Sequence, residues 1–325
     1  MKYPPEIPIL GPLLPGARQR HLVTLPGALL NDEPRPVVTI TGAEPGPVLL
    51  VGAGVHGGEY PAIEAVIRLA RELDPSDITG TIILMPVLNL PAFRNRSMFV
   101  CPVDNVNPNR VFPGDPAGSY SEQMTHALVH EFITYADAYI DLHGGDIPEA
   151  LIPFSICRQG DTDVDRRSKE LALVFGLPYV LTVSRPIQQA KGSSSYVAAA
   201  EIGVPAVLAE AGGIGQLQED AVTLLIDGVR RVLRHLGMSN DSVSDVSAPA
   251  VLTAFDWIYS SNAGMFYPNV AAGDLVEQGA AIGTVGSLFG DTLETVFAPV
   301  TGRILFLTIN PAVSAGGLLM GVGVS

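Results

Sequence analysis

Pro47-Val-Leu-Leu-Val51, continued by Gly52-Ala-Gly-Val-His-Gly-Gly-Glu59, is the stretch of sequence that decides the fold. The first part is a short apolar run typical of a buried strand, and residues 59–73 then follow with the apolar periodicity of a helix. His56 and Glu59 are therefore predicted in the turn and first helical turn after a strand. The glycines between them allow a tight bend and a close approach of substrate.

A third potential metal ligand, His143, ends the strand-like run Tyr139-Ile-Asp-Leu-His143. Two imidazoles and a carboxylate form a three-ligand site that leaves zinc a fourth, open position for water. Open α/β sheets place their ligands at strand ends, so His143 is expected beside His56 and Glu59. The pattern predicts a metal-dependent hydrolase with one Zn²⁺ per chain.

Two other patterns compete with this interpretation. Gly52-x-Gly54-x-x-Gly57 matches a dinucleotide-binding fingerprint, which requires an acidic residue at the end of the next strand. That strand ends in Asn89 instead, so we favour the metal site. His126 and His130 lie four apart on a predicted helix, but Ala127 replaces the glutamate of the zinc-protease helix. A solvated helix face is the favoured interpretation of that pair.

Composition restricts the class of partner. The chain has 325 residues, which is long enough for two domains, and 47% of them are hydrophobic, which is enough for a sizeable core. A formal net charge of −14 argues against nucleic acid or an anionic membrane as partner. The start of the sequence lacks the regions of a signal peptide, and two cysteines are too few for a disulfide framework. We expect a cytoplasmic protein with free thiols that forms a homo-oligomer.

Strand-like and helix-like runs alternate over residues 1–237. Strands are predicted at 48–53, 81–88, 138–143, 179–183 and 206–210, and helices at 59–73, 121–135, 165–175, 194–202 and 218–236. This alternation predicts a three-layer α/β domain with a mostly parallel sheet, and small strands from residues 1–45 packed on its edge.

Residues 238–249 are polar and predict a linker. Residues 250–325 carry short strands and glycine turns, and they resemble the barrel-sandwich hybrid fold of biotinyl and lipoyl carriers. A carrier needs an acceptor lysine, and no lysine follows Lys191. We therefore expect this β-domain to cap the active site, to form a subunit interface, or to do both.

Five motifs occur in the order expected of one family: His56-x-x-Glu59, Asn89-Leu-Pro-Ala-Phe93, Asp104-Asn-Val-Asn-Pro-Asn-Arg110-Val-Phe-Pro-Gly114, Asp141-Leu-His143 and Leu208-Ala-Glu-Ala-Gly-Gly213. Through them the chain resembles the succinylglutamate desuccinylase and aspartoacylase family, a branch of the zinc carboxypeptidase fold.

The resemblance implies a role for each matching residue. His56, Glu59 and His143 match the zinc ligands, and Glu210 matches the carboxylate that activates water. Asn109 and Arg110 match the pair that holds the substrate carboxylate. Arg94 and Arg96 both lie near the place of an arginine that polarises the scissile carbonyl, and we favour Arg96.

Asp146 follows His143 by three residues and has two interpretations. It could meet a cationic or polar amine part of the substrate, as in an N-acetyl diamino acid. Alternatively, it is a hydrogen-bond partner of the metal ligands or a solvated turn residue.

Three classes of function are consistent with these residues. The favoured class is an amidohydrolase that removes an acyl group from a small N-acyl amino acid. The second class is a zinc exopeptidase, which needs a cleft open to longer chains. The third is a binding protein without catalysis, but the complete ligand set and Glu210 argue against it.

Overall fold

The computed structural model describes residues 5–30, 33–183, 192–244 and 246–324. The strands in these residues are β1 (Ala17–Val23), β2 (Arg35–Thr41), β3 (Glu44–Ala53), β4 (Thr79–Met85), β5 (Ala138–His143), β6 (Glu149–Leu151), β7 (Phe154–Arg158), β8 (Tyr179–Val183), β9 (Ala206–Glu210), β10 (Ala250–Leu252), β11 (Ala254–Tyr259), β12 (Gly264–Pro268), β13 (Leu275–Val276), β14 (Ala281–Gly286), β15 (Thr292–Phe297), β16 (Gly302–Thr308), β17 (Ala312–Val313) and β18 (Leu318–Val324). The α-helices are α1 (Tyr60–Glu72), α2 (Leu90–Asn95), α3 (Tyr120–Glu131), α4 (Asp163–Phe175), α5 (Ser195–Glu201) and α6 (Glu219–His235).

A nine-stranded sheet forms the centre of the molecule, in the order β1-β2-β4-β3-β5-β9-β7-β8-β10. Strands β3, β4, β5 and β9 run parallel to one another, and β7, β8 and β10 form a second parallel group. The pairs β1–β2, β2–β4 and β7–β9 are antiparallel. The predicted three-layer domain with a mostly parallel sheet is confirmed, and β1 and β2 of the N-terminal segment lie at its edge.

Two hydrophobic cores cover the two faces of this sheet. Successive strand residues point to opposite faces, so Leu49 and Val51 of β3 join one core while Val48 and Leu50 join the other. Helices α1, α4 and α6 pack on the first face, and α3 and α5 on the second. Burial on both faces explains why the central strands are continuous apolar runs.

The C-terminal region consists of strands, as predicted, and these form two antiparallel sheets. One has the order β11-β18-β16-β13 and the other β15-β14-β12-β17. Two short strands connect this region to the large sheet: β10 pairs with β8, and β6 pairs with β16. The division into residues 1–237, 238–249 and 250–325 stays a prediction, and the first residues after 249 extend the large sheet.

Two further features of the fold are the state of its cysteines and the length of its apolar helices. Both cysteines are buried free thiols, as predicted, and burial raises the pKa of Cys157 to about 12. In the part of the chain that the structure describes, no helix combines the length and the apolar character needed to cross a membrane.

Candidate metal centre and active site

Three strand ends bring the predicted site residues together. Strand β3 ends at Ala53, and Gly54 turns the chain with a φ of 67°, a conformation that favours glycine. His56 lies in this turn, and Glu59 is the N-cap residue of α1. His143 is the last residue of the neighbouring β5, and it pairs in register with Glu210 at the end of β9. The carboxyl ends of parallel strands thus form the site.

The predicted metal ligands form one buried cluster. Nδ1 of His56 lies 2.8 Å from Oε1 of Glu59, and Nδ1 of His143 lies 2.9 Å from Oε2 of the same carboxylate. One ligand atom from each of the three residues lies within 4.8 Å of the other two. All three side chains are buried, so the spacing seen in the sequence corresponds to one compact set of donors.

The outer nitrogen of each imidazole has its own polar neighbour. Nε2 of His143 lies 3.0 Å from Oδ2 of Asp141, and Nε2 of His56 lies 3.0 Å from Oδ1 of Asn107. The Ser195 hydroxyl donates a hydrogen bond to the Asp141 carboxylate. Metal-binding histidines usually carry such outer partners, which fix the ring orientation. Sequence reasoning assigned no role to Asp141 or Asn107, although both lie inside the family motifs.

The electrostatics of the cluster fit a bound cation. Both oxygens of the Glu59 carboxylate face an imidazole nitrogen, Oε1 that of His56 and Oε2 that of His143. Burial opposes the charge on His143, yet Asp141 and Glu59 together raise its pKa well above the ordinary value. Burial likewise opposes the charge on Glu59, but His143 and His56 lower the pKa of its carboxyl to about 2. Zn²⁺ would take the place of the protons that these groups attract.

Glu210 is the acid next to this cluster. Its Oε2 atom is buried without a hydrogen-bond partner among the described residues. Burial raises the pKa of Glu210 well above the ordinary value, although His143 acts in the opposite direction. A carboxyl with a raised pKa at the end of a strand is suited to taking and returning a proton.

Asn109 and Arg110 form a short 3-10 turn beside the metal cluster. Asn109 is buried, and its side-chain oxygen accepts a hydrogen bond from the Ser195 amide at 3.1 Å. Arg110 is partly buried and donates to the carbonyl of Asn109 at 2.7 Å. No carboxylate of a described residue forms an ion pair with Arg110, so a planar fork of N–H donors is available to a ligand.

Arg94 and Arg96 lie elsewhere. Arg94 is largely exposed and pairs with Glu33, and Arg96 is exposed at the C-cap of α2 with a φ of 53°. Neither residue lines the cavity that contains His56, Glu59 and Glu210. The structure therefore does not bring them to the metal ligands, and a role in polarising the carbonyl stays a prediction.

Asp146 also lies outside this lining, although it is fully buried. Its Oδ2 atom accepts a hydrogen bond from the Phe99 amide at 2.7 Å, and Oδ1 accepts one from the Ile147 amide at 2.6 Å. It also packs against Gly58, where an added Cβ would lie 2.1 Å from Oδ1. These contacts correspond to a residue that holds the loop beside the metal ligands, and a contact with substrate has no support here.

A cavity of about 900 Å³ opens from the metal cluster. Its polar end includes His56, Glu59, Arg110 and Glu210, and Glu149 lies in the same wall. Strand β11 of the C-terminal region lines another side with Phe255, Asp256, Trp257 and Tyr259. The expectation that the C-terminal β-domain caps the active site agrees with this arrangement. Sequence reasoning did not identify these β11 residues, because nothing local marks a strand that lines a distant site.

Fold and site together define a three-layer α/β enzyme with a candidate metal centre at its strand ends. The chain belongs to the succinylglutamate desuccinylase/aspartoacylase family, whose catalytic-domain model matches residues 45–236. This family consists of hydrolytic deacylases that act on amide bonds of N-acyl amino acids.

Individual relatives resemble the chain over most of its length. The N-alpha-acetyl-L-2,4-diaminobutyric acid deacetylase of Halomonas elongata is 30% identical over 253 residues, which cover 76% of this chain and 73% of the relative. The product-bound structure of the ectoine utilization protein EutE (DoeB) from Ruegeria pomeroyi superposes over 100% of both chains, with a TM-score of 0.87 and 25% identity. A succinylglutamate desuccinylase/aspartoacylase structure from Rhodobacter sphaeroides covers 95% of both chains, with a TM-score of 0.83 and 24% identity, and shares the fold.

Proposed function

We propose that the protein is a zinc-dependent amidohydrolase that removes the acyl group from a small N-acyl amino acid. The observation that carries this proposal is the buried His56–Glu59–His143 cluster with the unpartnered carboxyl of Glu210 beside it. The Halomonas elongata relative acts on an N-acetylated diamino acid, which makes N-acetyl diamino acids the first substrates to test.

Each residue of the site has a defined part in this reaction. His56, Glu59 and His143 would hold zinc through Nδ1, a carboxylate oxygen and Nδ1. When bound, zinc supplies a water of pKa about 7 and polarises the scissile carbonyl. Glu210 accepts the proton of the attacking water on its carboxylate and passes it to the leaving amine. Arg110 binds the free carboxylate of the substrate through its guanidinium fork, which orients the amide bond.

The shape of the cavity favours this function over an exopeptidase. Strand β11 lines the cavity, whereas an exopeptidase needs a cleft that is open to longer chains. A binding protein without catalysis is disfavoured by the complete set of ligands and by Glu210. The preference for small amides over peptides is therefore part of the proposal.

Zinc content and substrate hydrolysis test the proposal together. We expect about one zinc per chain, and acetate release from N-acetyl amino acids that stops with a chelator and returns with added zinc. N-succinyl and N-formyl amino acids and a blocked dipeptide complete the screen. Fast cleavage of the dipeptide with no deacylation would favour the exopeptidase instead.

The variant His143→Ala tests the ligand set. Its zinc content and its activity should both fall strongly, whereas the matched change His130→Ala, at an exposed position of α3, should keep both. Stoichiometric zinc in His143→Ala would remove this residue from the ligand set.

A further inference from the structure

Glu149 occupies a fixed position in the wall of the active-site cavity. Its amide donates to the Gly145 carbonyl at 3.0 Å, and its carbonyl accepts from the Ile214 amide at 2.9 Å. A Cβ added at Gly213 would lie 2.2 Å from the Glu149 carbonyl oxygen, so the backbone is closely packed on that side. The pairing of β6 with β16 holds the same residue from the C-terminal region. These backbone contacts therefore fix the position from which the Glu149 side chain extends.

The carboxylate of Glu149 has no hydrogen-bond or ion-pair partner among the described residues, and it lines the cavity. Burial and the nearby carboxylates of Glu59 and Asp146 raise its pKa to about 8, and Arg110 offsets only part of this effect. Glu149 remains partly exposed to the cavity, and a cation beside a partly desolvated acid without a counter-ion lowers the cost of its charge. Glu149 is thus an acid that a cationic ligand can pair with.

The charges around the cavity do not supply this partner. Arg110 is the single lysine or arginine among the described lining residues, which also include Glu59, Glu149, Glu210 and Asp256. In the proposed reaction Arg110 binds the substrate carboxylate, and Glu59 belongs to the metal. Apart from the proposed base Glu210, the carboxylates of Glu149 and Asp256 therefore remain without a positive partner when an ordinary N-acyl amino acid is bound.

We infer that Glu149 recognises a cationic group on the side chain of the substrate, so that the enzyme selects N-acyl diamino acids over neutral or acidic N-acyl amino acids. The inference rests on the proposed function and assigns its specificity to one residue. In a short amino-acid side chain, the positively charged group is a primary ammonium. The substrate then presents one carboxylate to Arg110 and one ammonium to Glu149.

Two other acids of the region are weaker candidates. The Asp146 carboxylate already accepts hydrogen bonds from the amides of Phe99 and Ile147. Asp256 lines the cavity from β11 and, like Glu149, is partly exposed. The carboxylates of Glu59 and Asp146 add negative potential at Glu149, so a cation gains more there. Asp256 serves as the matched control.

Hydrolysis of two isosteric substrates tests the inference. Nα-acetyl-L-2,4-diaminobutyrate and Nα-acetyl-L-norvaline differ in that the ammonium of the first is a methyl group in the second. We expect the zinc-loaded wild type to favour the first by roughly 10- to 100-fold in kcat/KM, the value of a charge-assisted contact. Glu149→Gln should remove most of this ratio while the norvaline substrate changes by less than about threefold. Asp256→Asn should keep the ratio.

Three results would overturn the inference. They are a wild-type ratio near one, a ratio that survives in Glu149→Gln, and a ratio that Asp256→Asn abolishes instead. The wild-type ratio needs no variant, so it decides the matter even where Glu149→Gln does not fold.

A binding measurement separates this inference from the proposed function. Trp257 lines the cavity and is the single tryptophan of the protein, so its fluorescence reports a bound product without catalysis. L-2,4-diaminobutyrate should bind more tightly than L-norvaline to wild type, and the difference should disappear in Glu149→Gln. If neither amide is hydrolysed, the proposed function fails. In that case the role of Glu149 is still tested by binding, and equal affinity for the two products would overturn it. Hydrolysis of both amides at equal rates overturns the role of Glu149 alone.

Discussion

At the scale of single residues, the site holds a buried polar atom that the protein leaves without a partner. Oε2 of Glu210 is buried without a hydrogen bond from a described residue. Such an atom destabilises a folded chain by about 1–3 kcal/mol unless a ligand supplies the missing contact. Its position at the end of β9, beside the candidate metal ligands, is therefore more consistent with chemistry than with stability.

The role of Glu210 is testable by a change that keeps its shape. Glu210→Gln removes the proton acceptor, so turnover should fall by at least roughly 10²-fold while the zinc content stays that of wild type. Glu219→Gln, at the exposed start of α6, is the control and should keep full turnover. Stopped turnover together with lost zinc would mean that Glu210 supports the metal cluster, and full turnover would remove it from the reaction.

Arg110 should distinguish substrates by their carboxylate. Arg110→Lys keeps the charge but loses the planar fork, so kcat/KM should fall by roughly 10-fold or more for substrates with a free carboxylate. The corresponding primary amides should change much less. Arg166→Lys, on the exposed face of α4, is the control. Equal losses for acids and amides would indicate that Arg110 maintains the structure of the turn.

Residues close in sequence were easier to place than residues that meet only in the fold. His56 and Glu59 share one turn, and the apolar run before His143 marks it as a strand end, so these three were predictable from local pattern. Glu149 was not, because Asp146 and Glu149 follow His143 in the same short segment and the sequence does not show which of the two carboxylates faces the cavity. Asp146 points its carboxylate at the amides of Phe99 and Ile147, whereas Glu149 lines the cavity.

At the scale of elements, the turn between β3 and α1 depends on close backbone contact. An added Cβ at Gly57 would lie 2.1 Å from the amide nitrogen of Phe93, inside α2. Gly57→Ala must therefore displace either α2 or the turn that carries His56. We expect a loss of about 1–3 kcal/mol in the free energy of unfolding and weaker zinc binding.

Gly52→Ala is the control for this change, because Gly52 lies in β3, just before the turn, and an added Cβ there meets nothing closer than 3.4 Å, the Tyr139 hydroxyl. Denaturant unfolding and zinc titration of both variants measure the difference. Equal stability and zinc affinity in Gly57→Ala and wild type would contradict the close contact.

Elements with strong apolar periodicity were predictable from the sequence. Elements whose position depends on contacts between distant residues were not. Strands β5, β8 and β9 have the predicted bounds. Strand β4 ends at Met85, before Pro86, and not at Leu88, because proline cannot donate to the ladder. Strand β7 and the short helix α2 were missed. The position of β7 depends on antiparallel pairing with β9, a contact between residues far apart in sequence.

At the scale of the whole molecule, the C-terminal region is joined to the large sheet by a shared apolar core. Phe154 and Leu181 of the large sheet pack in one buried cluster with Leu305 and Phe306 of β16. The same region supplies the β11 wall of the cavity. Assembly into a homo-oligomer stays a prediction. Exposed Leu288 and Phe289, near the edge strand β15, form a surface where it could be examined.

The shared core predicts that both parts of the molecule unfold together. Strand β10 completes the large sheet and β6 completes the C-terminal one, so separating the parts would break two ladders and expose the cluster around Leu305. Fluorescence of Trp257 reports the C-terminal sheet, and far-ultraviolet circular dichroism reports mainly the helices on the large sheet. Their denaturant midpoints should coincide in wild type. Leu305→Ala, which empties a fully buried site, should lower both midpoints equally by an amount that corresponds to about 2–5 kcal/mol. Two separate transitions, or a shift confined to the tryptophan signal, would show that the C-terminal region folds independently of the sheet that carries the metal ligands.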